Sequence, residues 1–304
     1  MASPMDRRSV LGGLGALSAA GCSPQSAPEA ALSAPPAPVA PEHFDLSALE
    51  ARNGGRLGFA AMDLARGRNL VWRGGERFVY CSTFKSYLAA ATLLRVQSGA
   101  ERLERLIPVT RADMVLHAPT TGPAVGSTLT IERLMEATVG LSDNPAANIL
   151  IRELGGIDAL RAFYRGVGDD ITRVDRLEPE MNRLDGDKDT TTPLQSMRNL
   201  VSLLVSERTP LSPASKALLL RWMTETPTGA GRIKAGVPAG WTVAHKTGTG
   251  GYGPSNDIGV LYPPAGEPVV LAVYYHATPE SPAASNDAVI AEATRMALDA
   301  FGHG

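Results

Sequence analysis

Strand-like segments lie near both ends of the chain, with a long helical stretch between them, and this distribution limits what the chain can become. Arg56 to Asp63 and Leu70 to Arg73 read as two strands joined by a polar turn around Arg66-Gly67. Trp241 to Thr247, Ile258 to Tyr262 and Pro268 to Tyr275 read as three more. From about Ser82 to about Thr224 the pattern is mainly helical, recurring at 131–139, 145–154, 157–167, 193–206 and 212–224. A helix is expected over Asp45 to Arg52, stopped by Gly54-Gly55, and a closing one over 284–301 with apolar Ala288, Ile290, Ala291, Met296 and Leu298. Strands from the two ends can satisfy each other's backbone groups. The expected fold class is therefore α/β (α+β) and two-lobed, an antiparallel sheet built from both chain termini and flanked by helices, with an inserted all-α lobe. The α/β lobe would take about 42–75 and 225–304, and the all-α lobe about 76–224. A cleft between such lobes suits a small-molecule site.

With 304 residues the chain can bury a sizeable core. A net charge of −2 gives no electrostatic footprint for nucleic acid, and none is expected as a partner. Arg7-Arg8-Ser9-Val10-Leu11 is a twin-arginine pattern ahead of an apolar run from Val10 to Ala20 that is too short to span a membrane. Residues 1–22 thus read as an export signal. Ala19-Ala20-Gly21-Cys22 resembles a lipoprotein cleavage site with Cys22 as the lipid anchor, and ordinary cleavage in the alanine-rich stretch beyond it is the alternative. Either route places the protein outside the cytoplasm, in the periplasm, free or lipid-anchored. Residues 23–41, rich in Pro, Ala and Ser, read as a linker, and 42–304 as one catalytic domain. Once Cys22 is set aside, one of the two cysteines remains in the folded part, so no internal disulfide is expected. Cys81 reads as a small buried hydrophobe.

Four short motifs carry the chemistry. In Ser82-Thr83-Phe84-Lys85, spacing i to i+3 puts a hydroxyl and an amine on one helix face, at the start of an apolar helical run. Alone, such a tetrapeptide can arise by chance. Ser142-Asp143-Asn144 follows Val139-Gly140-Leu141, and its plain reading is a turn or helix cap. Glu178 and Asn182 lie in a long loop, Arg176 to Asp189, without clear periodicity; a lone Glu178 would be a solvated carboxylate. Lys246-Thr247-Gly248 sits on a strand ahead of Thr249-Gly250-Gly251, where small residues let a backbone approach a ligand and the lysine and threonines can hold a carboxylate.

The order Ser-x-x-Lys, Ser-Asp-Asn, Glu-x-x-x-Asn, Lys-Thr-Gly resembles that of the class A β-lactamases over about residues 42–302. Gly251-Tyr252-Gly253 with Asn256-Asp257, and Thr190-Thr191-Thr192-Pro193, extend the match. The resemblance implies hydrolysis of penicillins and cephalosporins through a serine acyl-enzyme, without metal or cofactor. It implies that Ser82 is acylated, that Ser142 passes a proton to the leaving nitrogen, and that Glu178 and Asn182 hold the hydrolytic water. Lys85 and Glu178 remain alternative bases for acylation. Asn144 would bind the substrate's side-chain amide, and Lys246, Thr247, Gly248 and Thr249 its carboxylate. The N–H groups of Ser82 and Thr249 would form the oxyanion hole. Asn148 would pin the loop of Glu178, and Arg176 with Asp189 would close it. His117 falls where the family often has an aromatic gate.

This chain also departs from the family pattern. Arg183 to Lys188 makes a shorter loop than in the commonest members, which puts its rigidity in question. Ser255 and Asn286 stand at two places where relatives carry an arginine for the substrate carboxylate, whereas Arg232 matches a third, so Arg232 is expected to supply that charge. Gly250 holds the place of a second cysteine used by some carbapenem-hydrolysing relatives, so that bridge cannot form. A penicillin-acylated receptor or a D-Ala-D-Ala peptidase would share Ser-x-x-Lys and Lys-Thr-Gly. Glu178 with Asn182 favours the hydrolase, because only it must clear a penicilloyl ester quickly. A monomer is expected.

Overall fold

The computed structural model describes residues 40–251, 253–278 and 285–304. The expected signal, Cys22, residues 23–39 of the linker and Tyr252 lie outside them. The first strand, β1 (Glu42–His43), is followed by α1 (Ser47–Asn53), β2 (Arg56–Asp63) and β3 (Arg68–Trp72). A short strand β4 (Phe78–Val79) leads to a 3₁₀ turn at Cys81–Thr83 and helix α2 (Phe84–Gln97). Then come β5 (Leu106–Pro108), β6 (Thr128–Thr130), α3 (Ile131–Gly140), α4 (Asn144–Leu154), α5 (Ile157–Gly166) and β7 (Thr190–Thr191). The chain closes with α6 (Pro193–Leu200), α7 (Pro213–Glu225), α8 (Ile233–Gly236), β8 (Thr242–Thr249), β9 (Pro254–Tyr262), β10 (Val269–His276) and α9 (Ser285–Phe301).

The main sheet has the order β1-β3-β2-β10-β9-β8, so the two chain ends meet where β2 pairs antiparallel with β10, Phe59 opposite Val273. The edge pair β1–β3 is parallel and was not expected. Side chains alternate along each strand. Leu57, Phe59 and Ala61 of β2, with Leu271, Val273 and Tyr275 of β10, face a core shared with Leu49 of α1 and Val289, Ile290 and Leu298 of α9. Ala60, Val270, Ala272 and Tyr274 face the opposite side, in a core with Leu88 of α2, Ile149 of α4 and Trp222 of α7. Helices thus cover both faces, which is why these strands are apolar on both sides.

Several segments differ from the sequence expectation, β9 among them, which starts at Pro254 rather than Ile258. The strand expected to end at Thr247 continues to Thr249, because its ladder with β9 holds as far as Thr249 opposite Ser255. The helix expected over 193–206 breaks after Leu200 into a π-turn, Val201–Val205, whose closing bond runs from Ser206 N to Val201 O at 2.8 Å. The helical middle also contains β5, β6 and β7, with β7 pairing antiparallel with β4.

Phe59 is fully buried between β2 and the α9 side of the sheet. Phe59→Ala is expected to lower unfolding free energy by about 3–5 kcal/mol, read as a lower urea midpoint with an unchanged slope.

Candidate active site

Ser82 does not begin the α-helix itself. It occupies the 3₁₀ turn just before α2, and Cys81 ahead of it has φ 48°, a left-handed conformation costly for a residue with a Cβ. Two contacts hold this turn. Asn256 Nδ2 of β9 donates to Val79 O at 2.9 Å and Tyr80 O at 3.1 Å. Gly248 of β8 packs directly against the turn: a Cβ there would sit 2.7 Å from Tyr80 O. A bare Cα at this point lets the end of β8 lie beside Ser82, and Ser82 and Thr249 line the same cavity. Cys81 is buried, which pushes its thiol pKa up and leaves it unreactive.

Ser82 and Lys85 meet through a third group. Glu178 Oε1 accepts from Ser82 Oγ at 3.4 Å and from Lys85 Nζ at 3.0 Å, with the Lys85 and Glu178 side chains fully buried. Lys85 Nζ also donates to Asn144 Oδ1 at 2.5 Å and Ser142 O at 2.8 Å. Burial lowers the Lys85 pKa, and the charge of Glu178 opposes that shift. Lys246 Nζ donates to Ser142 Oγ at 3.1 Å and Thr247 O at 3.0 Å. Its pKa is held well below the usual lysine value, first by burial and then by the positive charge of Lys85. Ser142 Oγ thus accepts from Lys246 and lies 3.4 Å from Lys85 Nζ. As an acceptor from Lys246, it keeps its own proton free to point into the cavity.

The Ser142 turn is shaped by Asp143, a residue whose importance the motif did not reveal beyond a cap. Asp143 caps α4 by accepting from Ala146 N, and it also accepts from the backbone N–H groups of Thr120 and Thr121 and from Thr121 Oγ1. Ser142 is left at φ 58°. Asn144 Nδ2 donates to Leu116 O at 2.8 Å, and Asn144 N to His117 O at 3.0 Å, so the His117 strap is tied to the same turn. His117 itself is exposed at the rim, with Nε2 3.0 Å from Leu141 O.

Glu178 is held at both its backbone and its side chain. Asn148 of α4 donates to Glu178 O at 2.9 Å and accepts from Glu178 N at 3.0 Å, and Asn182 Nδ2 donates to Glu178 Oε2. The loop closes where Arg176 Nε meets Asp189 Oδ2 at 2.6 Å, while Asp189 Oδ1 accepts from Asp175 N, Arg176 N and Tyr80 OH. The short segment after Asn182 is itself tied, by Lys188 to Asp185 at 2.8 Å and by Arg176 to Arg183 O at 2.7 Å.

Arg232 lines the cavity, as do Thr247, Thr249 and Asp287. Its partner, which the sequence did not single out, is Asp287 of α9, with Nε to Oδ1 at 2.7 Å. Thr228, also missed, places its hydroxyl 3.1 Å from that of Thr247. The cavity, about 690 Å³, therefore gathers Ser82, Ser142, Asn144, Thr247, Thr249, Arg232 and His117, with Lys85, Lys246 and Glu178 buried immediately behind. Among the described residues no cluster of His, Cys, Asp and Glu could hold a metal ion.

A buried serine backed by a lysine, a carboxylate and two side-chain amides, at the edge of a mixed sheet, defines a serine hydrolase of the acyl-enzyme type. A family model described as the beta-lactamase enzyme family matches residues 44–301. The CTX-M-8 β-lactamase of Citrobacter amalonaticus is 39% identical over 258 residues, 84% of this chain and 88% of its own. A β-lactamase of Streptomyces albus G is 39% identical over 266 residues, 84% of this chain and 83% of its own. The solved structure of an ancestral (GNCA) class A β-lactamase superposes with a TM-score of 0.81 at 48% identity, covering 84% of this chain and 98% of its own. The chain belongs to the β-lactamase enzyme family.

Asp189→Ala removes one ion pair and the acceptor of three further bonds in a buried setting. It is expected to destabilise the protein by about 3–5 kcal/mol, measured by urea unfolding, and to make the Arg176–Asp189 segment the first site of proteolysis.

Proposed function

We propose that the protein hydrolyses the β-lactam amide of penicillins and cephalosporins through an acyl-enzyme on Ser82, a reaction that confers resistance to these antibiotics. The observation that carries this reading is the shared oxygen Glu178 Oε1, in reach of both Ser82 Oγ and Lys85 Nζ. Ser82 Oγ attacks the lactam carbonyl, and its proton passes to Glu178, directly or through a water. Lys85 spends its protons on Glu178, Asn144 and Ser142, which supports Glu178 over Lys85 as the base. The N–H groups of Ser82 and Thr249 receive the oxyanion, a kind of contact worth about 2.7–4 kcal/mol per donor. The C–N bond breaks as Ser142 protonates the nitrogen, and the proton held by Glu178 passes through Lys85 to Ser142 Oγ, so that Glu178 is a carboxylate and Ser142 a hydroxyl again. Water held by Glu178 and Asn182 then attacks the ester; Glu178 takes its proton and gives it to the Ser82 oxygen as that oxygen leaves, which reforms the hydroxyl.

Asn144 offers its second amide proton to the substrate's side-chain carbonyl, and His117 with Leu116 forms that rim. Lys246, Thr247, Gly248 and Thr249 would hold the ring carboxylate. The cleft is read as lying between the sheet-bearing lobe and the inserted helical lobe. Related β-lactamases are generally exported proteins, and no described helix is long and apolar enough to cross a membrane. The twin arginines at Arg7-Arg8 and the cysteine at Cys22 support export to the periplasm, free or lipid-anchored.

Mixed with a chromogenic cephalosporin, the purified protein is expected to turn over many equivalents, and Ser82→Ala to lose the activity. One equivalent of product followed by silence would mean a receptor instead.

A further inference from the structure

A second cavity, of about 190 Å³, lies next to the Ser142 turn, where helices α3 and α7 both end. Gly140, the last residue of α3, and Glu225, the last of α7, line it together with Arg133, Glu136, Leu141 and Trp222. It shares no lining residue with the catalytic cavity.

The electrostatics of this cavity favour a cation. A helix C-terminus carries partial negative charge, and two of them meet here, neither with a basic residue in its last turn. The charged side chains are two carboxylates and one guanidinium, and the guanidinium is already paired, Arg133 Nη1 lying 2.8 Å from Glu136 Oε2. Glu225 is left exposed at the negative end of its own helix, with no ion-pair partner among the described residues. Lys234 donates to Thr226 O, just past the end of α7, at 3.0 Å, but it does not line the cavity. The placement of Glu225 is therefore unfavourable in the free protein and favourable once a cation is seated beside it.

The cavity also has a polar group without a partner. Trp222 is only 2% exposed, and its indole Nε1 is buried and meets no acceptor among the described residues, although a buried indole N–H ordinarily finds one. Two routes lead from here to the catalytic cleft. Leu141 immediately precedes Ser142, and its carbonyl oxygen lies 3.0 Å from His117 Nε2. Gly140 O accepts from Thr226 Oγ1 at 2.7 Å, and Thr226 Oγ1 lies 2.9 Å from Thr228 Oγ1, which lines the catalytic cavity.

We propose that this cavity is an effector site for a small planar organic cation, an aryl amidinium or guanidinium that also carries a hydroxyl or carbonyl oxygen. The cation sits at Glu225 and the two helix ends, and the oxygen accepts from the Trp222 indole. A ligand held there pins Gly140 and Leu141 and so restrains the Ser142 turn. Binding at this site does not depend on the β-lactam reading; only its effect on turnover rests on it.

The test titrates 4-hydroxybenzamidine into the parent protein by calorimetry, with benzamidine and the uncharged isostere 4-hydroxybenzamide as comparisons. One equivalent of 4-hydroxybenzamidine should bind saturably, benzamidine more weakly, and 4-hydroxybenzamide not measurably. Glu225→Gln should weaken the amidine by about 2–5-fold at low ionic strength, and added salt should shrink that difference. Absence of saturable binding, or the same affinity in Glu225→Gln, would overturn the site. Equal affinities for benzamidine and 4-hydroxybenzamidine would overturn the part given to Trp222. Binding should persist when a boronic acid occupies Ser82; its loss would place the amidine in the catalytic cleft and overturn the proposal.

The effector role is read from turnover of a chromogenic cephalosporin. Saturating 4-hydroxybenzamidine should lower kcat and leave KM unchanged, while Glu225→Gln should turn over like the parent in its absence and respond less in its presence. An unchanged kcat at saturation would overturn the coupling to Ser142. If the parent turns over no β-lactam at all, the proposed function falls, and calorimetry still decides the site.

Discussion

The buried pair of Lys85 and Glu178, 3.0 Å apart with no solvent access to either side chain, is the interaction on which the rest of the site depends. Two charges taken out of water cost several kcal/mol each, and their attraction offsets this only when the remaining donors and acceptors are also satisfied. Here they are. Asn144 and Ser142 take the spare protons of the ammonium, and Asn182 and Ser82 occupy the carboxylate oxygens. The pair joins helix α2 to a loop about ninety positions later in the chain, so the nucleophile and its water-activating carboxylate are fixed to each other.

Backbone strain is concentrated around this pair. Of the five described non-glycine residues with positive φ, Cys81, His117, Ser142 and Asp189 belong to the turn of the nucleophile, the cleft rim, the proton donor and the loop closure. Each such residue costs of order 1–3 kcal/mol and persists only where its surroundings over-determine it. The surroundings do so here through buried polar anchors. Asn256 and Gly248 fix Cys81, Asp143 fixes Ser142, and Arg176 with Tyr80 fixes Asp189. The sheet's apolar faces supply the stability that makes this strain tolerable, which divides the labour between the strand and helix cores and the cleft.

Much of this was legible in the sequence, for physical reasons. The strands at both chain ends carry dense apolar runs, and the motif residues are short-range patterns on strong elements. What was not legible depended on helix phase and tertiary contact. The spacing of Ser82 and Lys85 suggested direct contact across a helix face, but a 3₁₀ turn and Glu178 intervene. Asp287 was not singled out, because only the packing of α9 brings it against Arg232. Asp143 looked like an ordinary helix cap, because its bonds to Thr120 and Thr121 join segments with no shared pattern. The π-turn after Leu200 leaves the apolar periodicity nearly unchanged, so a helix pattern could not show it.

The central claim is that Glu178 makes the difference between a protein that penicillin blocks and one that recovers. The most direct measurement is the intact mass of Glu178→Ala during reaction with benzylpenicillin, followed by peptide mapping. The account predicts a penicilloyl adduct on Ser82 that accumulates and clears about 10²–10⁴-fold more slowly than in the parent protein. An adduct that clears as fast as in the parent, or that maps to another residue, would contradict it.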